Sequence, residues 1–276
     1  MIKQEGGLCF SKSRKSDKHL NPLISIITVV FNDNKHIQRT ISSIASQVYK
    51  NIEYIIIDGG STDGTLETIK KNENFIDYWL SEPDAGIYDA MNKGAHKANG
   101  SYLSFLNSSD IYFKDSIENI ASKIIEYRFD YSIAPVIIKT ASEKISMIKY
   151  PPLNFTYEYG KFMTMPAPHL SVFLSKDMWI KLGGYDLAFD LSSDYDLLLR
   201  MSSITKNVCS LSDPIGEFYL GGVSGSFKTD FDNFYVLKKH GLPMIDNLRI
   251  LSLQLIKSFI RNILPLKIIN IMRGRS

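Results

Sequence analysis

Residues Leu23 to Phe31 form an apolar run broken only by Ser25 and Thr28, and it follows Pro22. A short β-branched run of this kind predicts a strand buried on both faces, as in a parallel sheet. Ile37, Ile41, Ile44 and Val48 then recur at helical spacing, which predicts an amphipathic helix over Asn34 to Gln47. Ile52 to Ile57 reads as a second strand ending at Asp58-Gly59-Gly60, a helix is expected from about Thr65, and Ile76 to Leu80 reads as a third strand. The stripe Ile87, Ala90, Met91, Ala95 and Ala98 marks another helix, and Tyr102 to Leu106 a fourth strand. Strands alternating with helices imply crossover units, hence an α/β fold with a mostly parallel sheet flanked by helices.

Beyond Asp110 the alternation loosens. Ile117, Ile120, Ala121, Ile124 and Ile125 predict a helix, and Ser132 to Lys139 with Lys144 to Ile148 predict paired strands. Pro151 to Pro168 reads as loop with a short helix. Helices are expected over Ser175 to Leu182, stopped at Gly183, and over Asp194 to Met201, and a strand over Ile215 to Leu220. From Ile245 onward apolar residues interleave with Arg249, Lys257, Arg261, Lys267, Arg273 and Arg275. This tail, 245–276, reads as a basic amphipathic helix, either lying on an anionic membrane surface or packed on the domain with a solvated basic face. The division expected is a flexible lead-in over 1–21, one domain over 22–244 (a nucleotide-binding half 22–110 and an acceptor half 111–244), and the tail.

Composition narrows the field. The chain has 276 residues, 44% hydrophobic and 22% charged, with a net charge of +3. That balance suits a globular protein and gives no case for nucleic acid as a partner. Cys9 and Cys209 suggest neither a disulfide framework nor a metal knuckle, and the first residues carry no apolar signal region.

In open parallel sheets, ligands sit beyond the carboxyl ends of the strands. Phe31-Asn32-Asp33, Asp58-Gly59-Gly60-Ser61, Ser81-Glu82-Pro83-Asp84 and Asn107-Ser108-Ser109-Asp110 all follow predicted strands. Each alone is ordinary turn chemistry, but together they line one polar crevice. Neither a G-x-x-x-x-G-K-[ST] loop nor a G-x-G-x-x-G loop occurs, so a P-loop nucleotidase and a standard dinucleotide enzyme lose support. A diphosphate would then be handled by a cation held on carboxylates.

The stretches P-L-I-S-I-I-T-V-V-F-N, I-I-D-G-G-S-T-D-G-T, S-E-P-D-A-G-I-Y-D-A-M-N-K-G and L-N-S-S-D occur in that order. With P-H-L-S-V-F, L-G-G-Y-D and S-D-Y-D-L-L-L-R further on, the chain from Pro22 to Ser226 resembles family 2 glycosyltransferases of the GT-A fold. The likeness is strongest to bacterial enzymes of O-antigen, capsule and colanic-acid assembly. The resemblance implies that Asp58 accepts a hydrogen bond from the uracil of a UDP-sugar, with Phe31 and Asn32 lining the base pocket. It places Asp84, Asp89, Asn92 and Lys93 around the base, ribose and diphosphate, with Asn107 on the same rim. It makes Asp194 the general base of an inverting displacement, with Asp196 the neighbouring candidate. Gly221 to Ser224 resembles a loop that closes over the donor.

One departure bears on the cofactor. The family's metal motif ends on a carboxylate where this chain has Ser109. Asp110, with His169 assisting, is therefore the expected holder of a divalent cation, Mn²⁺ or Mg²⁺. The implied reaction moves a hexose, with UDP-glucose the first expectation, in β linkage to an undecaprenyl-diphosphate-linked N-acetylhexosamine at the cytoplasmic face of the inner membrane. UDP-galactose or another sugar nucleotide is the alternative donor. A non-catalytic nucleotide-sugar-binding homologue is the rival that Ser109 favours.

Overall fold

Every residue from Ile24 to Val30 is buried, as a strand covered on both faces requires. In the computed structural model, which describes residues 3–8, 21–140, 144–152, 156–161, 165–220 and 227–263, that strand is central. The chain runs β1 (Gln4–Gly6), β2 (Ile24–Val30), α1 (Ile37–Ala45), β3 (Ile52–Asp58), α2 (Thr65–Lys71), β4 (Tyr78–Ser81), α3 (Ile87–Lys97) and β5 (Tyr102–Asn107). It continues with β6 (Ile111–Tyr112), α4 (Ser116–Glu126), β7 (Tyr131–Ile133), β8 (Val136–Lys139), β9 (Ile145–Lys149) and α5 (Tyr157–Gly160). Next come β10 (Phe173–Ser175), α6 (Lys176–Leu182), α7 (Ser193–Ile204), β11 (Val208–Ser210), β12 (Gly216–Tyr219), α8 (Phe227–Lys239) and α9 (Met244–Ile263).

The main sheet has the order β1-β4-β3-β2-β5-β10-β7-β11. Its middle, β4-β3-β2-β5, is parallel, whereas β1 and β10 run antiparallel to their neighbours. The chain winds outward from β2 to β4 and then returns to lay β5 on the other side of β2. Between β2 and β5 the direction of winding reverses, and that is where an open α/β sheet opens a crevice.

Two cores cover the two faces. Ile37, Ile41 and Ile44 of α1 pack with Ile26, Tyr54 and Ile56 on one face. Ala90 and Met91 of α3, Trp179 of α6 and Leu198 of α7 pack with Ile27, Ile57 and Phe105 on the other. Gly94 lets α3 lie close on the sheet, since a Cβ there would stand 2.4 Å from Ile27 Cγ2.

Several elements differ from expectation. Residues 1–21 were expected to be a flexible lead-in, yet Gln4–Gly6 form an edge strand on β4, fastened by Tyr78 Oη donating to Glu5 Oε2 at 2.6 Å. The strand expected over Ser132 to Lys139 divides at Pro135, whose missing N–H interrupts a ladder. β7 joins the main sheet, and β8 joins a second sheet of order β6-β12-β8-β9. β11 and α8 are additional, and α1 starts at Ile37 after a turn in which His36 Nδ1 lies 2.6 Å from Asp33 Oδ1. Gly221 to Ser224, Cys9 and the tail beyond Ile263 lie outside the described residues.

Candidate active site

Strand register assembles the rim. Val30 stands opposite Asp58, Asp58 opposite Ser81, and Val29 opposite Asn107, so four strand ends finish level. Phe31, one step beyond β2, is 63% exposed with its ring free to stack. Asn32 adopts φ +50°, a conformation asparagine tolerates better than most residues, and its Oδ1 accepts from Thr62 N at 2.8 Å. Gly59 keeps open the space between Phe31 and Asp84, because a Cβ there would lie 2.5 Å from Asp84 Oδ2 and 3.3 Å from Phe31 Cδ2.

Asp58 is fully buried and already has partners. Ser81 Oγ donates to its Oδ2 at 2.6 Å, Ser61 N donates at 3.1 Å, and Ser61 Oγ donates to Oδ1 at 2.5 Å. Ser61 Oγ also accepts from Asn32 N at 2.7 Å, so this serine locks the end of β2 to the end of β3. Asp84 is held by Gly86 N at 2.9 Å, and burial raises its pKa above the usual carboxylate range. Asp89 accepts from Ala85 N at 3.0 Å and pairs with Lys93 at 3.1 Å. Lys93 also pairs with Glu82 at 3.1 Å; burial lowers its pKa, but Glu82 and Asp89 outweigh that and raise it. Asn92 spends both ends of its amide on the backbone of Tyr185, at 3.0 and 2.9 Å. It fastens α3 to the Gly183-Gly184 turn and holds the rim's position from behind.

Asn107, Asp110 and His169 share an unusual property. Asn107 Oδ1, Asp110 Oδ2 and His169 Nε2 are buried and have no hydrogen-bond partner. Asp110 Oδ1 accepts from Tyr219 N at 3.0 Å, while Oδ2 faces His169 Nε2 across 3.9 Å, too far for a hydrogen bond. Burial pushes the Asp110 carboxyl up to about 8 and the His169 imidazole down. Buried polar atoms left without partners are costly, and a carboxylate oxygen, an imidazole nitrogen and an amide oxygen suit a cation such as Mn²⁺. The donor types of Asp110 and His169, 3.9 Å apart, therefore fit a divalent ion. Among the described residues no group of three or more His, Cys, Asp or Glu side chains gathers, so solvent or phosphate oxygens would complete the shell. Ser109 carries no such orphaned atom.

Asp194 lies in the first turn of α7, where the helix N-terminus favours a carboxylate. Its Oδ1 accepts from Tyr88 Oη and from Tyr195 N, both at 2.9 Å. Burial, reinforced by the Asp194 charge, raises the Tyr88 hydroxyl well above its ordinary pKa, so it stays a donor. Asp196 is committed elsewhere: it is fully buried and pairs with Arg200 at 2.6 Å, Lys239 at 2.8 Å and His240 at 3.0 Å. That leaves Asp194, half-buried and tied to α3 through Tyr88, as the candidate carboxylate of this helix.

Tyr88, Tyr219 and Lys149 were not singled out from sequence, and Ser61 and Ser81 were read as rim residues but not as partners of Asp58. Lys149 donates to Met165 O at 2.7 Å; burial lowers its pKa and the Asp194 charge opposes that. Tyr88 was within reach of sequence reading, since it lies inside the S-E-P-D-A-G-I-Y-D-A-M-N-K-G run. Its pairing with Asp194, 106 positions away, was not.

Known proteins share this sequence pattern and this fold. An uncharacterized glycosyltransferase of Mycobacterium tuberculosis is 31% identical over 223 residues, 80% of this chain and 83% of that one. Staphylococcus aureus TarS 1-349, solved in complex with UDP, superposes with a TM-score of 0.64 at 16% identity, covering 88% of this chain and 76% of that one. The mannosyltransferase PcManGT of Pyrobaculum calidifontis, solved with GDP-Man and Mn²⁺, gives 0.62 at 12% identity, covering 96% and 83%. At such identities the two structures speak for the fold. The profile of Glycosyl transferase family 2 matches residues 25–173, more than half of the chain. The chain is a family 2 glycosyltransferase.

Proposed function

We propose that this glycosyltransferase is an inverting enzyme that moves a hexose from a UDP-sugar to a polyprenyl-diphosphate-linked N-acetylhexosamine in surface-polysaccharide assembly. The observation that carries the reading is the 2.9 Å hydrogen bond from Tyr88 to Asp194, which ties the donor-side helix α3 to the carboxylate across the cleft. In this reading Phe31 stacks on the uracil and Asp58 accepts its N3–H, Ser61 giving way as it does so. Asp84 and Asp89 border the ribose and diphosphate, Lys93 supplies a positive charge there, and Asn92 positions the segment. Asp110 and His169, with Asn107, hold a divalent cation, which offsets the charge of the departing nucleoside diphosphate. Tyr88 keeps the Asp194 carboxylate aimed so that it takes the proton from the acceptor hydroxyl as that oxygen attacks the anomeric carbon. An α-linked donor thus yields a β-linked product.

UDP-glucose is the first candidate donor and UDP-galactose the second. The lipid-linked acceptor places the enzyme at the cytoplasmic face of the inner membrane, which the basic stretch after Ile245 suits. The deciding experiment pairs a panel of UDP-sugars with a synthetic lipid-diphosphate acceptor, on wild type and Asp194→Asn. Transfer should fall by about 10²- to 10⁴-fold in the variant, with UDP binding by calorimetry unchanged. Near-normal turnover by Asp194→Asn would remove it as the base. Nucleotide binding with no transfer by the wild type to any acceptor would favour the non-catalytic reading.

A further inference from the structure

The helical hairpin α8–α9 turns much of its apolar surface outward. Among the described side chains of α9, the buried ones are Asn247, Gln254 and Ser258, all polar, with Ile250 partly buried against the cluster that holds Val236 and Leu237. The outward side carries Ile245, Ile256 and Phe259, which are 62%, 55% and 58% exposed. On α8, Val236 and Leu237 are buried together with Asp230 and Asn233, while Phe227, Phe231 and Tyr235 face out. The seam between the helices is correspondingly polar. Ser258 Oγ donates to Asp230 Oδ2 at 2.7 Å, and Asn247 Nδ2 donates to the Phe234 carbonyl at 2.9 Å. In water a surface helix normally does the reverse, turning its apolar stripe inward. Contiguous exposed apolar patches mark interaction sites.

Charge identifies the partner. Arg249 and Lys257 are exposed on α9 among the apolar side chains. From Met244 to Ser276 the sequence holds six basic residues and one acidic residue, Asp246. A second copy of the same basic surface would be repelled, whereas an anionic lipid surface would attract it and take up the apolar side chains. No helix among the described residues is long and apolar enough to cross a membrane, so the geometry is that of a helix pair lying in the interface.

We infer that the outward faces of α8 and α9 together form a docking surface for an anionic bilayer. This deepens the lipid-linked-acceptor reading, on which it rests. It also moves the membrane contact from a terminal tail alone to a helical pair anchored on α7 through Asp196 and its partners Lys239 and His240.

The test is flotation of the full chain with vesicles of phosphatidylcholine alone or mixed with phosphatidylglycerol. Wild type should float with the anionic vesicles and far less with the zwitterionic ones. The triple variant Phe231→Ser, Ile245→Ser, Ile256→Ser should bind at least about tenfold more weakly, with an unchanged far-ultraviolet spectrum because all three are exposed. Ile180→Ser, equally exposed on α6, should float like wild type, and Arg249→Glu with Lys257→Glu should abolish the preference for phosphatidylglycerol. Absence of wild-type binding, equal binding by the triple variant, or a wild-type dimer that the triple variant converts to monomer would each overturn the inference. Binding is read without substrate, so loss of flotation with intact transfer to a water-soluble acceptor rejects the docking surface alone. Flotation without any transfer rejects the enzymatic reading alone.

Discussion

Burial disfavours the charged forms of both Asp110 and His169, pushing the carboxyl up to about 8 and the imidazole down, and neither orphaned atom reaches the other. A carboxyl held this way contributes little to folding, and its worth comes when a cation arrives. Replacing Asp110 with Asn keeps an acceptor for Tyr219 N but removes the charge. Mn²⁺ affinity in the presence of UDP, measured by calorimetry, should fall by more than about tenfold, the loss typical even of residues that merely support a metal ligand. The thermal midpoint without metal should stay level or rise, since a poorly satisfied buried acid has gone. Equal Mn²⁺ affinity in both proteins would take Asp110 out of the metal site. Much of this rim was legible at the residue scale, because Phe31, Asp58 and Asn107 end or follow apolar runs that read as strands. The partners were not: Ser61 on Asp58 comes from the adjoining turn, and Tyr219 on Asp110 and Tyr88 on Asp194 come from a strand and a helix more than 100 positions away.

Among elements, α7 has the clearest division of labour. Asp194 binds Tyr88 of α3, and two residues on, Asp196 ties the helix to its neighbours. Burial pushes the Asp196 carboxyl up, but His240, Lys239 and Arg200 together hold it down at about 2. The folded value lies below the ordinary carboxylate value, so this stabilisation is complete above about pH 5 and is lost as pH falls toward 2, amounting to about 2–3 kcal/mol. Asp196→Asn removes the carboxylate that Arg200, Lys239 and His240 share and should destabilise by about 3–5 kcal/mol at pH 7. Urea unfolding should also show a flatter acid limb for the variant than for wild type. A variant as stable as wild type at pH 7 would refute the role. Element prediction itself succeeded where one face of a long segment was apolar, as in α1, α3 and α4. It failed at β10 and β11, whose three-residue length is too short for any period, and at Pro135, where one apolar run serves two sheets. It also missed α8, because Asp230 and Asn233 share the buried side with Val236 and Leu237 while Phe231 and Tyr235 face outward, so no clear apolar stripe marks the helix.

At the scale of the whole molecule, the half expected to bind the nucleotide, 22–110, and the half expected to meet the acceptor, 111–244, share one sheet. β10 pairs with β5 through Phe173 and Ser104, and β7 extends the sheet beyond it. The face that carries α3 from the first half also carries α6 and α7 from the second, and Phe105 of β5 packs against Trp179 of α6 with ring centroids 5.3 Å apart. Excising 22–110 would bare the edge of β5 and strip that shared core, so the halves should unfold together. The chain's two tryptophans can report this, since Trp79 lies in β4 and Trp179 in α6. In Trp179→Phe the fluorescence follows the first half, and in Trp79→Phe the second. Within each variant the urea midpoint by fluorescence should coincide with that by far-ultraviolet circular dichroism, the signature of a single cooperative transition. Were the halves separate folding units, Trp79 and Trp179 would each follow their own half and part company with the global signal. Coincidence in both variants would mean that donor binding on the β4-β3-β2-β5 rim stabilises the Asp194 side as well, because nothing between them can open alone.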